Sequence, residues 1–218
     1  DQFNGEAFLL EDSHLQKIPQ GAFNVLSRLM RGDKIASGQT SLFDIYDFSI
    51  IPVEFISNVY EHFIGEENQK KKGAYYTPVF LVDYIISETV EKYLDDNPAA
   101  YKCKVLDPAC GSGIFLVQAL RRIIERFQLI NNTTSTKKEI LRKIASENVF
   151  GIDQDDNAIN VAVFSVYLAL LDYIKDPKEI ENFKFPNLID KNFFTSDFFD
   201  LNKEFNDTFK KINFNFSY

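Results

Sequence analysis

Apolar positions change their spacing along this chain, and the changes mark out its elements. Leu15, Ile18, Phe23, Leu26 and Leu29 recur at helical intervals over 15–30, interrupted by Pro19 and Gly21. An apolar but irregular stretch, 41–48, reads as packing against the main body. Pro52 suits the first position of a helix to about 64, with Val53, Ile56, Val59, Tyr60 and Phe63 on one face. Thr77 and Pro78 read as cap and first residue of a helix to about 94. Val105 and Leu106 make a short buried strand that Pro108 ends, and helical spacing resumes from Ile114. A short helix is predicted over 137–147 and a strand over Val149-Phe150-Gly151-Ile152-Asp153. A largely apolar, buried helix then opens at Asp156 and runs to about Tyr173, and Asp176-Pro177 breaks it. A weaker third strand follows 185–190 and leads into Phe194-Thr195-Ser196-Asp197-Phe198-Phe199, and 211–218 alternates like the start of a fourth. Strands alternating with helices imply a mostly parallel α/β sheet flanked by helices, behind a helical lead-in.

Composition narrows the class. The 218 residues are 45% hydrophobic with 22 Phe, enough for a packed core. A formal charge of −8 argues against a broad basic face that grips nucleic acid, though another domain could supply the grip. Cys103 and Cys110 form no disulfide framework, so a reducing, cytoplasmic setting is expected. The longest apolar run, 161–171, is too short to span a bilayer, so no membrane partner is expected. His14 and His62 read as helix residues, and no metal site is expected. Gln69-Lys70-Lys71-Lys72 reads as a solvated linker, with a local phosphate contact as the alternative. The chain begins with Asp and reads as a piece of something longer, divided into a lead-in, 1–72, and a cofactor-binding part, 73–218.

The chemistry gathers at Asp107-Pro108-Ala109-Cys110-Gly111-Ser112-Gly113, a tight turn between strand and helix. Gly111 and Gly113 permit positive φ and close approach of a ligand. A dinucleotide fingerprint needs glycine where Leu116 stands, and no Gly-Lys-Ser/Thr phosphate loop is present. The Asp107 carboxylate would repel a pyrophosphate and attract a cation, such as the α-amino group of a methionine moiety. That points to S-adenosylmethionine. Asp107, Asp153 and Asp197 each fall at or just after a strand end, where an α/β sheet binds its ligands. Asp153 is placed to accept from ribose hydroxyls and Gln154 to lie against the adenine. Asp197 is placed to accept from the adenine amine, and Phe198 to stack on the ring.

With these motifs in order, the chain resembles the N6-adenine DNA methyltransferases of restriction–modification systems, in particular type I modification subunits and fused type IIG enzymes. Gly73-Ala74-Tyr75-Tyr76-Thr77-Pro78 resembles their first cofactor motif, Asp107 to Gly113 their glycine motif, Gly151-Ile152-Asp153-Gln154-Asp155 their ribose motif and Ser196-Asp197-Phe198 their adenine motif. Phe3-Asn4-Gly5 and Ile51-Pro52-Val53-Glu54 resemble their lead-in. The resemblance implies a Rossmann-like fold and cofactor contacts from Tyr76, Thr77, Pro78, Asp107, Pro108, Ala109, Gly111, Gly113, Asp153, Gln154, Asp197 and Phe198. It also implies double-stranded DNA as substrate, bound through a recognition domain not seen in this sequence, and a specificity or restriction subunit as partner. The family's catalytic Asn/Asp-Pro-Pro-aromatic is absent, since no Pro-Pro occurs, so no catalytic residue is assigned and the fragment is expected to be inactive. An RNA or protein methyltransferase and a non-catalytic cofactor-sensing module of a larger nuclease are the alternatives. A nicotinamide-dependent dehydrogenase is disfavoured by Leu116 and Asp107.

Overall fold

The computed structural model describes residues 16–19, 21–30, 52, 53, 55, 59 and 77–199. The chain divides into two compact units, Phe8–Pro52 and Asp1–Ala7 with Val53–Tyr218. The first contributes one described helix, α1 (Ala22–Met30), which starts just past the predicted interruption at Pro19 and Gly21. In the second, Val53, Phe55 and Val59 are helical, within the helix predicted from Pro52. The predicted strand at 211–218, the stretches 41–48 and 73–76, and both lead-in motifs apart from Pro52 and Val53 lie outside the described residues.

The second unit then reads α2 (Val79–Ile86), a π-helical turn (Ser87–Glu91) and α3 (Lys92–Asp96). Next come β1 (Val105–Asp107), α4 (Ile114–Ile130), α5 (Lys138–Asn148), β2 (Val149–Asp153), α6 (Asp156–Leu171), α7 (Pro177–Glu181) and β3 (Phe193–Thr195). The three strands form one sheet in the order β1-β2-β3, parallel throughout. Helix α4 packs on β1 and β2, α6 on β2 and β3, and the two helices pack on each other, so they share a face of the sheet. Leu116, Val117, Leu120, Ile123 and Ile124 recur at helical spacing and form the fully buried stripe of α4. Helix α6 is buried at Ile159, Ala162, Val163, Val166 and Leu170, as its apolar centre requires.

Two predicted details are corrected. Thr77 does not cap the helix at 79. Pro78 holds the cap position, with ψ 137°, and no side-chain cap bond forms. The helix to 94 is also not uniform. Ser87 Oγ donates to Tyr84 O at 2.8 Å, and Thr89 Oγ1 to Ile85 O at 2.6 Å. These hydroxyls compete for the carbonyls that the α-helical ladder uses, and the turn loosens into a π segment there. Beyond α6, Asp176 does more than break a helix. Its Oδ1 accepts the Lys178 N–H at 2.9 Å and caps α7, with Pro177 in the first turn.

Two buried asparagines hold the strands' approaches. Asn148 Oδ1 accepts the Cys103 N–H at 3.0 Å, which ties the entry of β1 to the end of α5. Asn192 Nδ2 donates to Ser146 O at 2.9 Å and Val149 O at 2.8 Å, which fixes the entry of β3 beside β2. Each replaces a ladder bond that an irregular segment cannot make.

Candidate functional site

The strand register sets the site. Asp107 pairs with Gly151, and Asp153 pairs with Thr195. The acids are therefore stepped, each reaching two residues beyond the level of the one before. A step of two keeps Asp107 and Asp153 on the same face of the sheet. Ser196 N–H continues the ladder to Asp153 O at 2.8 Å, and Asp197 follows it.

All three acids are folded back in the same way. Asp107 Oδ1 accepts the Ala109 N–H at 3.1 Å, Asp153 Oδ1 the Asp155 N–H at 2.9 Å and Asp197 Oδ1 the Phe199 N–H at 2.9 Å. Each is an Asx turn, and each fixes the side chain as the chain leaves its strand. The sequence carries a local signal for this, an Asp opening a loop. Aspartate has the right length for the turn, and glutamate does not.

The glycine turn sits against β2. Cys110 N–H donates to Ile152 O at 2.8 Å, and Gly111 N–H to Asp153 Oδ2 at 2.9 Å. Gly111 has φ 51° and Gly113 φ 86°, both in the left-handed region. A Cβ at Gly111 would meet nothing within 4 Å, so the turn opens onto free space there. Gly113, which caps α4, instead backs onto Ala162 of α6. Under the turn, a Cβ at Gly151 would lie 2.8 Å from the Phe193 ring and 2.9 Å from Cys110 Sγ, so bare backbone is needed at that point of β2.

Burial raises the pKa of Asp107 above the ordinary carboxylate range, the Ala109 N–H opposes the shift, and the Asp153 charge adds to it. Burial also holds the Cys110 thiol well above its usual value, with Asp107 and Asp153 pushing the same way. Burial alone lifts Cys103 to about 11. Both thiols stay protonated at neutral pH, which makes them packing groups rather than nucleophiles. Among the described residues, what the turn presents is negative charge, with no cation contributing to the shift of Asp107. In the pH interval between the unfolded and folded pKa of Asp107, the folded chain keeps a proton that the unfolded chain has lost. The contribution of Asp107 to stability therefore falls as pH rises through that interval. Urea titrations at stepped pH should show this slope in the wild type, and Asp107→Asn, which retains the turn acceptor, should flatten it.

Of the other predicted site residues, Pro108 and Ala109 are exposed on the turn, and Gln154 is exposed just after β2. Phe198 is half-buried and meets Phe199 edge to face at 5.4 Å. Thr77 and Pro78 stand half-buried at the head of α2, and among the described residues no hydrogen bond joins them to the three acids. Tyr76 lies outside the described residues. A groove of about 490 Å³ runs along the edge of β1, lined by Ile86, Tyr93, Leu106, Phe115 and, at one end, Asp107 and Pro108. A larger groove, about 610 Å³, lies at the opposite end of the strands, where Lys102, Lys104, Phe150 and Lys191 line it and none of the three strand-end acids does. Among the described residues no group of His, Cys, Asp and Glu could hold a metal ion, and no helix is long and apolar enough to cross a membrane.

A model of the family described as N-6 DNA Methylase matches residues 53–215. The type II restriction enzyme and methyltransferase RM.Eco57I of Escherichia coli is 28% identical over 157 residues, covering 58% of this chain and 16% of that protein. The type I restriction enzyme HindI methylase subunit of Haemophilus influenzae is 29% identical over 157 residues, covering 71% of this chain and 30% of that subunit. The adenine-specific methyltransferase PglX of Streptomyces coelicolor is 26% identical over 124 residues, covering 54% of this chain and 9% of that protein. The chain thus spans less than a third of the length of each of these relatives. No solved structure matches.

Proposed function

Because the chain belongs to the N-6 DNA methylase family, we propose that it is the cofactor-binding part of a DNA adenine-N6 methyltransferase of a restriction–modification system. One observation carries the reading: two carboxylates, Asp107 and Asp153, converge beside an open glycine turn, where burial raises the pKa of Asp107 and the Asp153 charge adds to the rise. A phosphate ligand would aggravate that repulsion, and a cationic ligand relieves it. S-adenosylmethionine fits the donor set, and when bound it supplies an electrophilic methyl group on a sulfonium.

In this reading Asp107 pairs with the α-ammonium of the methionine moiety, within the part of the chain over 73–218. Pro108, Ala109, Gly111 and Gly113 let that moiety lie against the backbone, and Tyr76, Thr77 and Pro78 close the same end. Asp153 accepts from the ribose hydroxyls. A carboxylate has about four lone-pair sites, and the two backbone donors on Asp153 occupy two of them. Asp197 accepts from the adenine amine, while Gln154 and Phe198 lie against the ring. The protein's contribution is positioning. The Asn-Pro-Pro-aromatic that would hold a flipped adenine does not occur in these 218 residues. Double-stranded DNA, a specificity or restriction subunit, and a cytoplasmic location belong to the same proposal for the whole protein.

Titration calorimetry with S-adenosylmethionine or S-adenosylhomocysteine tests it. Asp107→Ala should weaken binding by about 1–3 kcal/mol, the range for a lost charged contact, and an unchanged dissociation constant would remove Asp107 from the site. Binding should also weaken as pH falls into the raised range of Asp107, because the protonated acid no longer attracts the ammonium. The chain alone should methylate no DNA, and turnover by the purified chain would overturn that part.

A further inference from the structure

Asp153 stands where three connections meet. Its Oδ1 accepts the Asp155 N–H of its own turn at 2.9 Å, and its Oδ2 accepts the Gly111 N–H at 2.9 Å from 42 residues away in sequence. Its main-chain carbonyl accepts the Ser196 N–H at 2.8 Å, where the chain leaves β3. The neighbouring Cys110 N–H bonds the Ile152 carbonyl at 2.8 Å. Two successive amides of the glycine turn are thus stitched to two successive residues at the end of β2, one through backbone and one through the Asp153 side chain. The side-chain stitch is the one that falls on Gly111, the residue with φ 51° and open space beyond it.

We propose that Asp153 is a positioning residue for the glycine turn as well as the acceptor for the ribose, so that one carboxylate builds the subsites for both halves of the cofactor. The proposal rests on the cofactor reading above and adds to it a coupling. Whatever orients the Asp153 carboxylate for ribose also orients the Gly111 backbone, against which the methionine moiety lies. An asparagine at 153 cannot serve both partners. In either rotamer one of the two backbone donors faces an amide NH2 and the other keeps an oxygen, so alanine is the variant that necessarily frees Gly111.

Two measurements on the 218-residue chain test this. First, amide hydrogen exchange of the ligand-free protein should show Gly111 protected, and Asp153→Ala, which removes both acceptor oxygens, should speed its exchange about tenfold or more while the β1 amides are unchanged. Equal Gly111 exchange in both proteins would overturn the positioning role. Second, calorimetry with S-adenosylhomocysteine and with adenosine, on wild type and Asp153→Ala, forms a cycle in which the ribose contact cancels. A carboxylate that only touches ribose weakens both ligands by the same factor. A carboxylate that also sets the turn lowers the ratio of the two affinities, by about tenfold for one lost charged hydrogen bond, and an unchanged ratio overturns the proposal. Failure of the wild type to bind either ligand would sink the cofactor reading, and the exchange experiment would still decide whether Asp153 holds the turn. Should Asp153→Ala not fold, the wild type suffices. Adenosine lacks the methionine moiety, yet it should slow Gly111 exchange, and an unaltered rate at saturating adenosine counts against the coupling.

Discussion

Phe185→Ala is expected to destabilise the protein by about 3–5 kcal/mol, the range for emptying a fully buried aromatic site. Phe185 is 1% exposed. Its ring stacks on Tyr167 of α6 at 4.5 Å and meets Phe183 edge to face at 4.9 Å. The Tyr167 hydroxyl donates to Pro186 O at 2.6 Å, so the stretch before β3 is held to α6 by both rings and a hydrogen bond. Truncation leaves a cavity between rings that are fixed from several sides and cannot collapse into it. For a chain of this size the melting temperature should fall by on the order of 10 °C. Chemical denaturation gives the free energy directly, and Phe199→Ala is the control. Phe199 is 84% exposed, and its loss should change stability by less than about 0.5 kcal/mol. Equal losses for the two variants would mean that the aromatic cluster does not anchor β3.

That cluster also shows what the sequence could and could not reveal. The strand Val149–Asp153 was predicted to the residue, because a short apolar run between a polar helix and an acid admits few other readings. Helices α4, α5 and α6 were legible from apolar spacing, and the strand-end acids followed from the rule that ligands bind at the carboxyl ends of parallel strands. The stepped heights of those acids were not legible, because register depends on pairing between segments more than 40 residues apart. Nor were the roles of Asn148 and Asn192. An asparagine before a strand looks like a turn residue until the carbonyls and amides around it are known. The π turn escaped for a similar reason: Ser87 and Thr89 are ordinary in the sequence, and only their bonds to Tyr84 and Ile85 disturb the helix. Helix α7 did have a local signal, Asp176 before Pro177, a cap followed by a first-turn proline. In the site, the acids and glycines were legible because their chemistry is local. The hydrogen bond from Gly111 to Asp153 was not, because it joins two motifs that the sequence presents separately.

The two glycines of the turn should differ sharply when each is changed to alanine, and the difference separates backbone strain from steric fit. At Gly111 the added methyl meets nothing within 4 Å, and φ is 51°. The cost is then the left-handed penalty alone, about 1–2 kcal/mol. At Gly113 φ is 86°, and the methyl would lie 2.9 Å from both Cα and Cβ of Ala162 and 3.3 Å from its carbonyl oxygen. Overpacking adds about 1–3 kcal/mol to the left-handed penalty, so Gly113→Ala should destabilise by about 2–5 kcal/mol. Much of the contact is with helix backbone, which cannot rotate away. The alternative to unfolding is a shift of the turn off α6, which carries Gly111 away from Asp153 and should abolish detectable cofactor binding. Urea denaturation and calorimetry on both variants check this. Ala162→Gly in the Gly113→Ala background should recover only part of the loss, because it removes the Cβ contact and leaves those to Cα and the carbonyl. Complete recovery would place the conflict in side-chain packing rather than in the approach of the turn to the α6 backbone. Equal effects at positions 111 and 113 would mean that the left-handed conformation alone, and not the seat on Ala162, fixes where the turn lies.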